Sequence, residues 1–184
     1  MRFKPAAIHQ FHGGSAQGDA ITNGLLYTRE LLRELGFHSE IYCQDMAPEL
    51  AGRIRSAPTF CDDPDVLLLV HFSWAIRYFD WLTNLRCRKM LVFHNITPQE
   101  FFDEDGEFAR FADLSWQQLA RLRPHVTASL ANSRYSADQL GQLGYQRPMV
   151  LPLLLDPQGL ASGACDEATE KAFRADDSLK ILFV

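Results

Sequence analysis

Short apolar stretches alternate with amphipathic helical stretches along this chain, and this alternation constrains the fold more than any other feature. Strand-like sequence occurs in "IHQFHGG", "HSEIYC", "VLLLVHF", "KMLVFHN", "VTASLANS" and "MVLPLLL", with helical sequence between most of them. Several of these runs are apolar throughout, which is typical of strands covered on both faces. The order predicts an α/β fold in which a Rossmann-like, mainly parallel sheet carries helices on both faces.

Capping signals predict where several helices begin and end. After Asp19, mostly apolar side chains recur at helical spacing until Gly36, which is suited to a C-terminal stop; they are Ile21, Leu25, Thr28, Leu32 and Leu35. "TPQE" predicts a capping box with Thr97 as N-cap, and "WAIRYFDWLTNL" predicts a helix. Ser133 is predicted to cap a further helix that ends before Gly144.

Composition and charge limit the partners. The 184 residues are 47% hydrophobic and 22% charged, which is typical of a globular protein. The net charge of -5 argues against nucleic acid as a main partner, because that affinity comes mostly from clustered Lys and Arg. Arg86, Arg88 and Lys89 form a short basic run that is predicted to be a solvated helix end, with contact to an anionic membrane surface as the alternative.

The cysteines and the N-terminus bear on the compartment. Cys43, Cys61, Cys87 and Cys165 lack metal-ligand spacing, so we expect free thiols in a reducing environment. The N-terminus lacks the layout of a signal peptide, and no apolar run approaches the length of a membrane span. These features predict a cytoplasmic protein, with peripheral contact at the inner face of the membrane left open.

Four predicted strands end in glycine or polar residues. They are His12, Gly13 and Gly14 after the first strand, His71 and Ser73 after "VLLLV", His94 and Asn95 after "MLVF", and Asn132 and Ser133 after "VTASLA". Each alone has an ordinary explanation, such as a strand-end histidine satisfied by backbone or a serine that only caps a helix. Because ligands of open parallel sheets bind outside the carboxyl ends of the strands, their coincidence predicts a site at this edge.

Familiar chemical motifs are mostly absent. The glycines of "HGGSAQGD" match neither the GxGxxG fingerprint nor a P-loop, and are expected in a turn where backbone N–H groups and a helix dipole can hold an anion. HExxH and GxSxG do not occur, and His9 and His12 lie three apart on a strand, so their side chains point to opposite faces. "DED" at 103–105 is similar to a metal-binding carboxylate pair, but it follows a predicted helix start away from any strand end, so a solvated acidic loop is expected.

The segments "HGGSAQGDAITNGLLYTRELLRELGFHSEIY", "VFHNITPQEFF", "ANSRYSADQLGQLGY" and "VLPLLLDP" follow one another in a familiar order and span nearly the whole chain. Together they resemble the N-terminal domain of the family 4 retaining glycosyltransferases, which have the two-domain GT-B fold. The more specific markers, "GDAI" and "HNITPQEFF", are similar to bacterial enzymes that add mannose or rhamnose to surface polysaccharides.

The resemblance implies transfer of a hexose from a nucleotide-diphosphate sugar to a glycan or lipid-linked acceptor, without a cofactor or metal. It implies that Gly13, Gly14 and, less directly, Ser15 approach the donor diphosphate, and that His94, the catalytic candidate, lies near the transferred sugar. The acceptor would rest on this domain. The further cleft and acceptor candidates are His12, Asp19, His71, Asn95 and Ser133.

The resemblance also divides the chain. It implies an acceptor-side domain at 1–156, an interdomain linker at 157–178 and, at 179–184, the first strand of a C-terminal donor-binding domain. That domain would carry the family's E-x7-E region and phosphate clamp, so this chain alone is expected to transfer no sugar. The apolar residues 179–184 are expected to pair with a sheet edge or to pack in an apolar groove. If that edge or groove belongs to a second copy of the chain, the chain self-associates.

Two other functions fit parts of the sequence. A free-standing α/β module could bind a nucleotide or sugar without catalysis. A nicotinamide-dependent oxidoreductase of Rossmann type would need an acidic residue after the second strand, which Asp45 offers, although the fingerprint glycines are missing.

Overall fold

The computed structural model describes residues 5–103, 106–156, 158–159 and 166–175. The strands are β1 (Ala7–Ser15), β2 (Ile41–Met46), β3 (Arg55–Ser56), β4 (Val66–Phe72), β5 (Arg88–Phe93), β6 (Ala128–Ala131) and β7 (Met149–Val150). They form one sheet in the order β3-β2-β1-β4-β5-β6-β7, and every neighbouring pair is parallel. This architecture confirms the predicted α/β fold with a Rossmann-like parallel sheet.

Helices connect the strands and cover the sheet. They are α1 (Ala20–Glu34), α2 (Phe79–Asn84), α3 (Glu107–Leu122), α4 (Arg134–Gln142) and α5 (Glu167–Arg174). Adjacent residues of β1 face opposite ways. Phe11 belongs to the larger apolar core with Leu82 of α2 and Leu119 of α3, whereas the amide of Gln10 donates to the carbonyl of Leu25 in α1 at 3.0 Å. The sheet is therefore buried between α1 on one side and α2 with α3 on the other.

Several predicted helix boundaries are confirmed. The Ser133 hydroxyl accepts the backbone N–H of Ser136 at 3.1 Å and so caps α4. Gly36 and Gly144 follow α1 and α4 with φ of 86° and 83°, a left-handed conformation that favours glycine at helix ends. Leu35 differs from the prediction, since α1 ends at Glu34 and the Leu35 side chain is 72% exposed.

Two helix starts were predicted wrongly. Thr97 caps no helix, because Pro98 keeps an extended ψ of 145° and only a 3₁₀ turn, Gln99–Phe101, follows it without a side-chain cap. The stretch "WAIRYFDWLTNL" becomes helical only at Phe79. Tertiary hydrogen bonds explain the delay, since the backbone N–H groups of Ile76 and Tyr78 donate to the side chains of Gln118 and Gln44 at 2.7 and 2.8 Å.

The two glycines of "HGGS" lie inside a strand rather than in a turn. β1 continues through them because β2 pairs with it as far as Gly14↔Asp45 and Ser15↔Met46. The turn into α1 comes later, at Gly18, whose φ is 81°. The last predicted strand is shorter than expected and comprises only Met149–Val150.

The basic run does not form one exposed surface. Lys89 is buried, and its Nζ donates to the carbonyls of Leu85 and Cys87 at 2.6 and 3.2 Å. Arg86 instead pairs with Asp62, with Nε 3.3 Å from Oδ2. The interpretation as a solvated helix end is therefore wrong for Lys89.

The predicted linker is described only in part, and the predicted C-terminal strand not at all. Within 157–178 only 158–159 and 166–175 are described, and every residue of α5 is exposed. Residues 179–184, Cys165, Glu104 and Asp105 lie outside the described residues. Cys43, Cys61 and Cys87 carry free thiols. In the described part of the chain, no helix combines the length and apolar character that crossing a membrane requires.

Candidate functional site

A cleft of about 630 Å³ opens at the carboxyl edge of the sheet, where β1 and β4 lie side by side. From β1 the strand order runs one way to β2 and β3, and the other way to β4 and β5. Such a reversal is the place where open parallel sheets bind their ligands. The cleft is lined by His12, Gly13, Gly14, Gln44, Asp45, Ser73, Trp74, Ala75, Ile76, Arg77, Phe111, Leu114 and Gln118.

The glycines reach the cleft because β1 extends beyond the last residue that pairs with β4. Pairing between β1 and β4 ends at His12↔His71, while pairing with β2 continues to Ser15. A Cβ atom built at Gly14 would meet nothing nearer than the Asp45 carbonyl oxygen at 4.0 Å, and one at Gly13 would meet Ile76 Cγ1 at 3.7 Å. Neither glycine has a positive φ. Neither backbone conformation nor packing within the described chain therefore requires glycine at these positions.

The cleft has one apolar and one polar wall. Trp74, Ile76, Phe111 and Leu114 supply the apolar wall, and both Phe111 and Leu114 of α3 are exposed. The polar wall contains Gln44, Asp45 and Arg77. Within the described residues, Arg77 is the only lysine or arginine that lines the cleft. The cleft lining thus combines apolar side chains with one positive charge, which is paired with the Asp45 carboxylate.

The loop after β4, which contributes Trp74, Ile76 and Arg77 to the cleft, is held by hydrogen bonds from α3 and β2. The Gln118 side chain brackets Ile76, since its Oε1 accepts the backbone N–H at 2.7 Å and its Nε2 donates to the carbonyl at 2.9 Å. Gln44 Oε1 accepts the backbone N–H of Tyr78 at 2.8 Å. These bonds anchor the loop to α3 and β2 and so help to fix the shape of the cleft.

His12 lies at the inner end of the cleft. Its ring nitrogens are each 3.4 Å from a serine hydroxyl, Nδ1 from Ser15 and Nε2 from Ser73. Burial lowers the pKa of His12 to about 4, against a smaller opposite effect of the Asp19 carboxylate. His12 is therefore neutral at physiological pH and can either donate or accept a hydrogen bond there.

His71 and His94 lie edge to edge beside His12 and form a hydrogen-bonded pair with nearly parallel ring planes. Their ring centroids are 5.1 Å apart at an interplanar angle of 17°, and His71 Nδ1 lies 2.8 Å from His94 Nε2. Burial holds the pKa of His71 well below its usual value, and burial with the nearby His12 lowers the pKa of His94 to about 4. Both rings are therefore neutral at physiological pH.

The pair faces a second, smaller cavity of about 50 Å³ between α1, the strand ends and residues 151–154. Gly24 allows α1 to pack closely against residues 151–154, since a Cβ atom at position 24 would lie 2.9 Å from Leu153 Cδ1. Three predicted histidines thus come together, two of them on β1 and β4 and His94 directly after β5, but only His12 lines the larger cleft. Among the described residues, no group of three or more His, Cys, Asp or Glu side chains is placed to hold a metal ion.

The remaining predicted residues have other positions. Ser15 is buried and accepts a hydrogen bond from Cys43 Sγ at 3.5 Å. Asp19 caps α1, with Oδ2 accepting the Thr22 backbone N–H at 2.7 Å. Asn95 is exposed and has a φ of 92° directly after β5, and Ser133 caps α4. None of these four residues lines the larger cleft.

Sequence reasoning missed most of the two walls. Trp74 and Arg77 were assigned to a helix, but that helix begins only at Phe79. Their position in the loop after β4, and so in the cleft, was therefore not predicted. Phe111, Leu114 and Gln118 lie on α3, about 35 or more residues along the chain from that loop, and no local pattern indicates that they face it. For Arg77, the position just beyond a strand end was the signal that could have identified it.

Comparisons with protein-family models, with curated proteins and with solved structures find no significant match. A functional assignment therefore depends on the chemistry of the cleft and on the resemblance in the sequence.

Proposed function

We propose that this chain is the acceptor-side domain of a retaining GT-B glycosyltransferase that moves a hexose from a nucleotide-diphosphate sugar to an acceptor. The observation that carries the proposal is the pair Gly13 and Gly14, which face a cleft at the strand-order reversal although nothing among the described residues requires glycine there. Close approach of a ligand to the backbone explains that choice.

The donor diphosphate would lie over Gly14, where the space above the backbone is open. Arg77 would move from Asp45 to a phosphate oxygen, since its guanidinium is exposed and lines the same cleft. The N-terminus of α1 contributes less than the sequence suggested, because Asp19 already occupies it with a negative charge. Further phosphate contacts are expected from a C-terminal domain.

His94 would contact the transferred sugar as a neutral hydrogen-bonding group. His94 is the more accessible residue of the hydrogen-bonded pair, and it lies close enough to His12 and Asp19 for their charges to affect its pKa. A neutral imidazole suits a role in orienting a sugar hydroxyl, since it adds no charge that must be compensated.

The apolar wall bears on the acceptor. Phe111 and Leu114 offer exposed apolar surface inside the cleft but no hydrogen-bonding group on their side chains. An acceptor with an apolar portion would bury more of that surface than a glycan alone. Between the glycan and the lipid-linked acceptor, the wall therefore favours the lipid-linked one.

One observation favours a second candidate. Asp45 is the penultimate residue of β2 and the register partner of Gly14, close to where a nicotinamide-dependent oxidoreductase holds the ribose of its cofactor. Fluorescence titration with reduced nicotinamide dinucleotide tests this alternative. Saturable binding that Asp45→Ala abolishes would favour the oxidoreductase, and its absence would leave the transferase proposal.

The transferase proposal is tested with the protein encoded by the complete reading frame. That frame is expected to encode a second α/β domain with an E-x7-E region after Val184. A panel of nucleotide-diphosphate sugars is incubated with lipid-linked and free glycan acceptors, and release of nucleoside diphosphate is measured. A frame without such a domain would favour the binding module that performs no catalysis.

A further inference from the structure

The contact between His71 and His94 can hold only one hydrogen atom. Both rings are neutral at physiological pH, because burial lowers the pKa of each. A neutral imidazole has one N–H donor and one bare nitrogen acceptor. With His71 Nδ1 and His94 Nε2 2.8 Å apart, one of these two nitrogens donates and the other accepts. The surroundings of the pair decide which nitrogen carries the hydrogen.

The far side of His71 provides the deciding evidence. His71 Nε2 is buried and has no hydrogen-bond partner among the described residues. If His94 were the donor, His71 would carry its own hydrogen on Nε2 as a buried donor without an acceptor. If His71 Nδ1 is the donor, Nε2 is instead a bare acceptor. Buried unpaired donors are rarer than under-satisfied acceptors, so the second arrangement is favoured.

We propose that His71 is a positioning residue that donates from Nδ1 to His94 and thereby holds His94 as the Nδ1–H tautomer in a fixed ring plane. His94 then directs an N–H toward its open side, where no described residue accepts it. The ligand atom that this donor would meet is an oxygen, a sugar hydroxyl if the proposed transferase function holds. His71 acts through His94 and has no contact with substrate of its own.

Heteronuclear NMR on the ¹⁵N-histidine-labelled chain tests this directly without a ligand. Two-bond ¹⁵N–¹H correlations identify the protonated nitrogen of each ring and therefore the donor, and a ¹⁵N–¹⁵N coupling through the hydrogen bond identifies the two nitrogens that share the hydrogen. We expect both His71 and His94 to be Nδ1–H, with a coupling between His71 Nδ1 and His94 Nε2. A His94 ring protonated at Nε2, or the absence of the coupling, would overturn the proposal.

His71→Leu removes the donor while keeping an apolar side chain in the buried site. His94 should then lose its single tautomer and populate the Nε2–H form to a large extent. Exposed His125→Gln is the matched control and should leave the His94 spectrum unchanged. An unchanged His94 tautomer in folded His71→Leu would contradict the proposal, and if that variant fails to fold, the wild-type spectra still decide. Because no sugar is involved, failure of the transferase function would leave these results unaffected.

Discussion

Arg77 reaches across the polar wall of the cleft to Asp45, with Nη2 2.7 Å from Oδ2, while both side chains remain more than half exposed. An exposed ion pair of this kind contributes little to stability, about 0 to 1 kcal/mol. The Arg77 guanidinium therefore lies in the same cleft as Gly14, and it can leave the Asp45 carboxylate for another anion with little loss of stability.

Arg77→Gln should raise the donor KM of the complete enzyme about tenfold, because a charge-assisted hydrogen bond to phosphate is lost. The free energy of unfolding should change by less than about 1 kcal/mol. Arg86→Gln is the matched control, since Arg86 also pairs with an aspartate, Asp62, away from the cleft. Equal effects of both substitutions on donor KM would show that Arg77 does not bind the donor.

Gly14→Val should lower donor affinity without unfolding the chain. The side chain points into open space in an extended strand, so it obstructs the ligand rather than the protein. Gly18→Val, in the turn that follows β1, is the control, because its φ of 81° makes a side chain strained by about 1–2 kcal/mol and Gly18 does not line the cleft. Thermal unfolding and donor KM are measured for both. Unchanged donor binding in folded Gly14→Val would show that the donor does not approach the backbone at Gly14.

His94→Ala should lower kcat by more than about tenfold in the complete enzyme, as expected for a group that contacts the reacting sugar. Its melting temperature is compared with that of His125→Ala, which alters an exposed histidine on a 3₁₀ turn. If His94→Ala loses activity only in proportion to the fraction that is unfolded, the residue supports the fold and has no catalytic role.

Stability should fall as the pH falls from 6.5 to about 4. His9, His12 and His94 each have a pKa lowered to about 4, mainly by burial, so the unfolded chain takes up protons in this range that the folded chain does not. Each histidine then reduces the free energy of unfolding by up to about 1.4 kcal/mol per pH unit. Above pH 6.5 the contribution is complete and constant.

Urea unfolding across this pH range measures how the free energy of unfolding changes with pH. His12→Gln should reduce that slope by up to about 1.4 kcal/mol per pH unit, because one fewer histidine is protonated on unfolding. His125→Gln serves as the control for substituting a histidine outside the cluster. An equally steep slope in folded His12→Gln would show that His12 is not protonated on unfolding in this range.

Sequence reasoning succeeded where structure is set locally. Ser133 caps α4 because a serine hydroxyl reaches a backbone N–H three residues ahead, and Gly36 ends α1 because glycine accepts a positive φ. It failed where distant groups compete for the backbone, as when Gln118 and Gln44 bind the N–H groups of Ile76 and Tyr78 and delay α2. The contact of His71 with His94 follows from the pairing of β4 with β5, which the sequence does not specify.

The most direct measurement is turnover of nucleotide-diphosphate sugars by the protein from the complete reading frame, assayed beside its Gly14→Val variant. The account predicts that at least one donor releases nucleoside diphosphate and glycosylates an added lipid-linked acceptor with retention of anomeric configuration, and that Gly14→Val lowers donor affinity about tenfold or more. A folded complete protein that transfers no sugar from any donor of the panel would contradict the account.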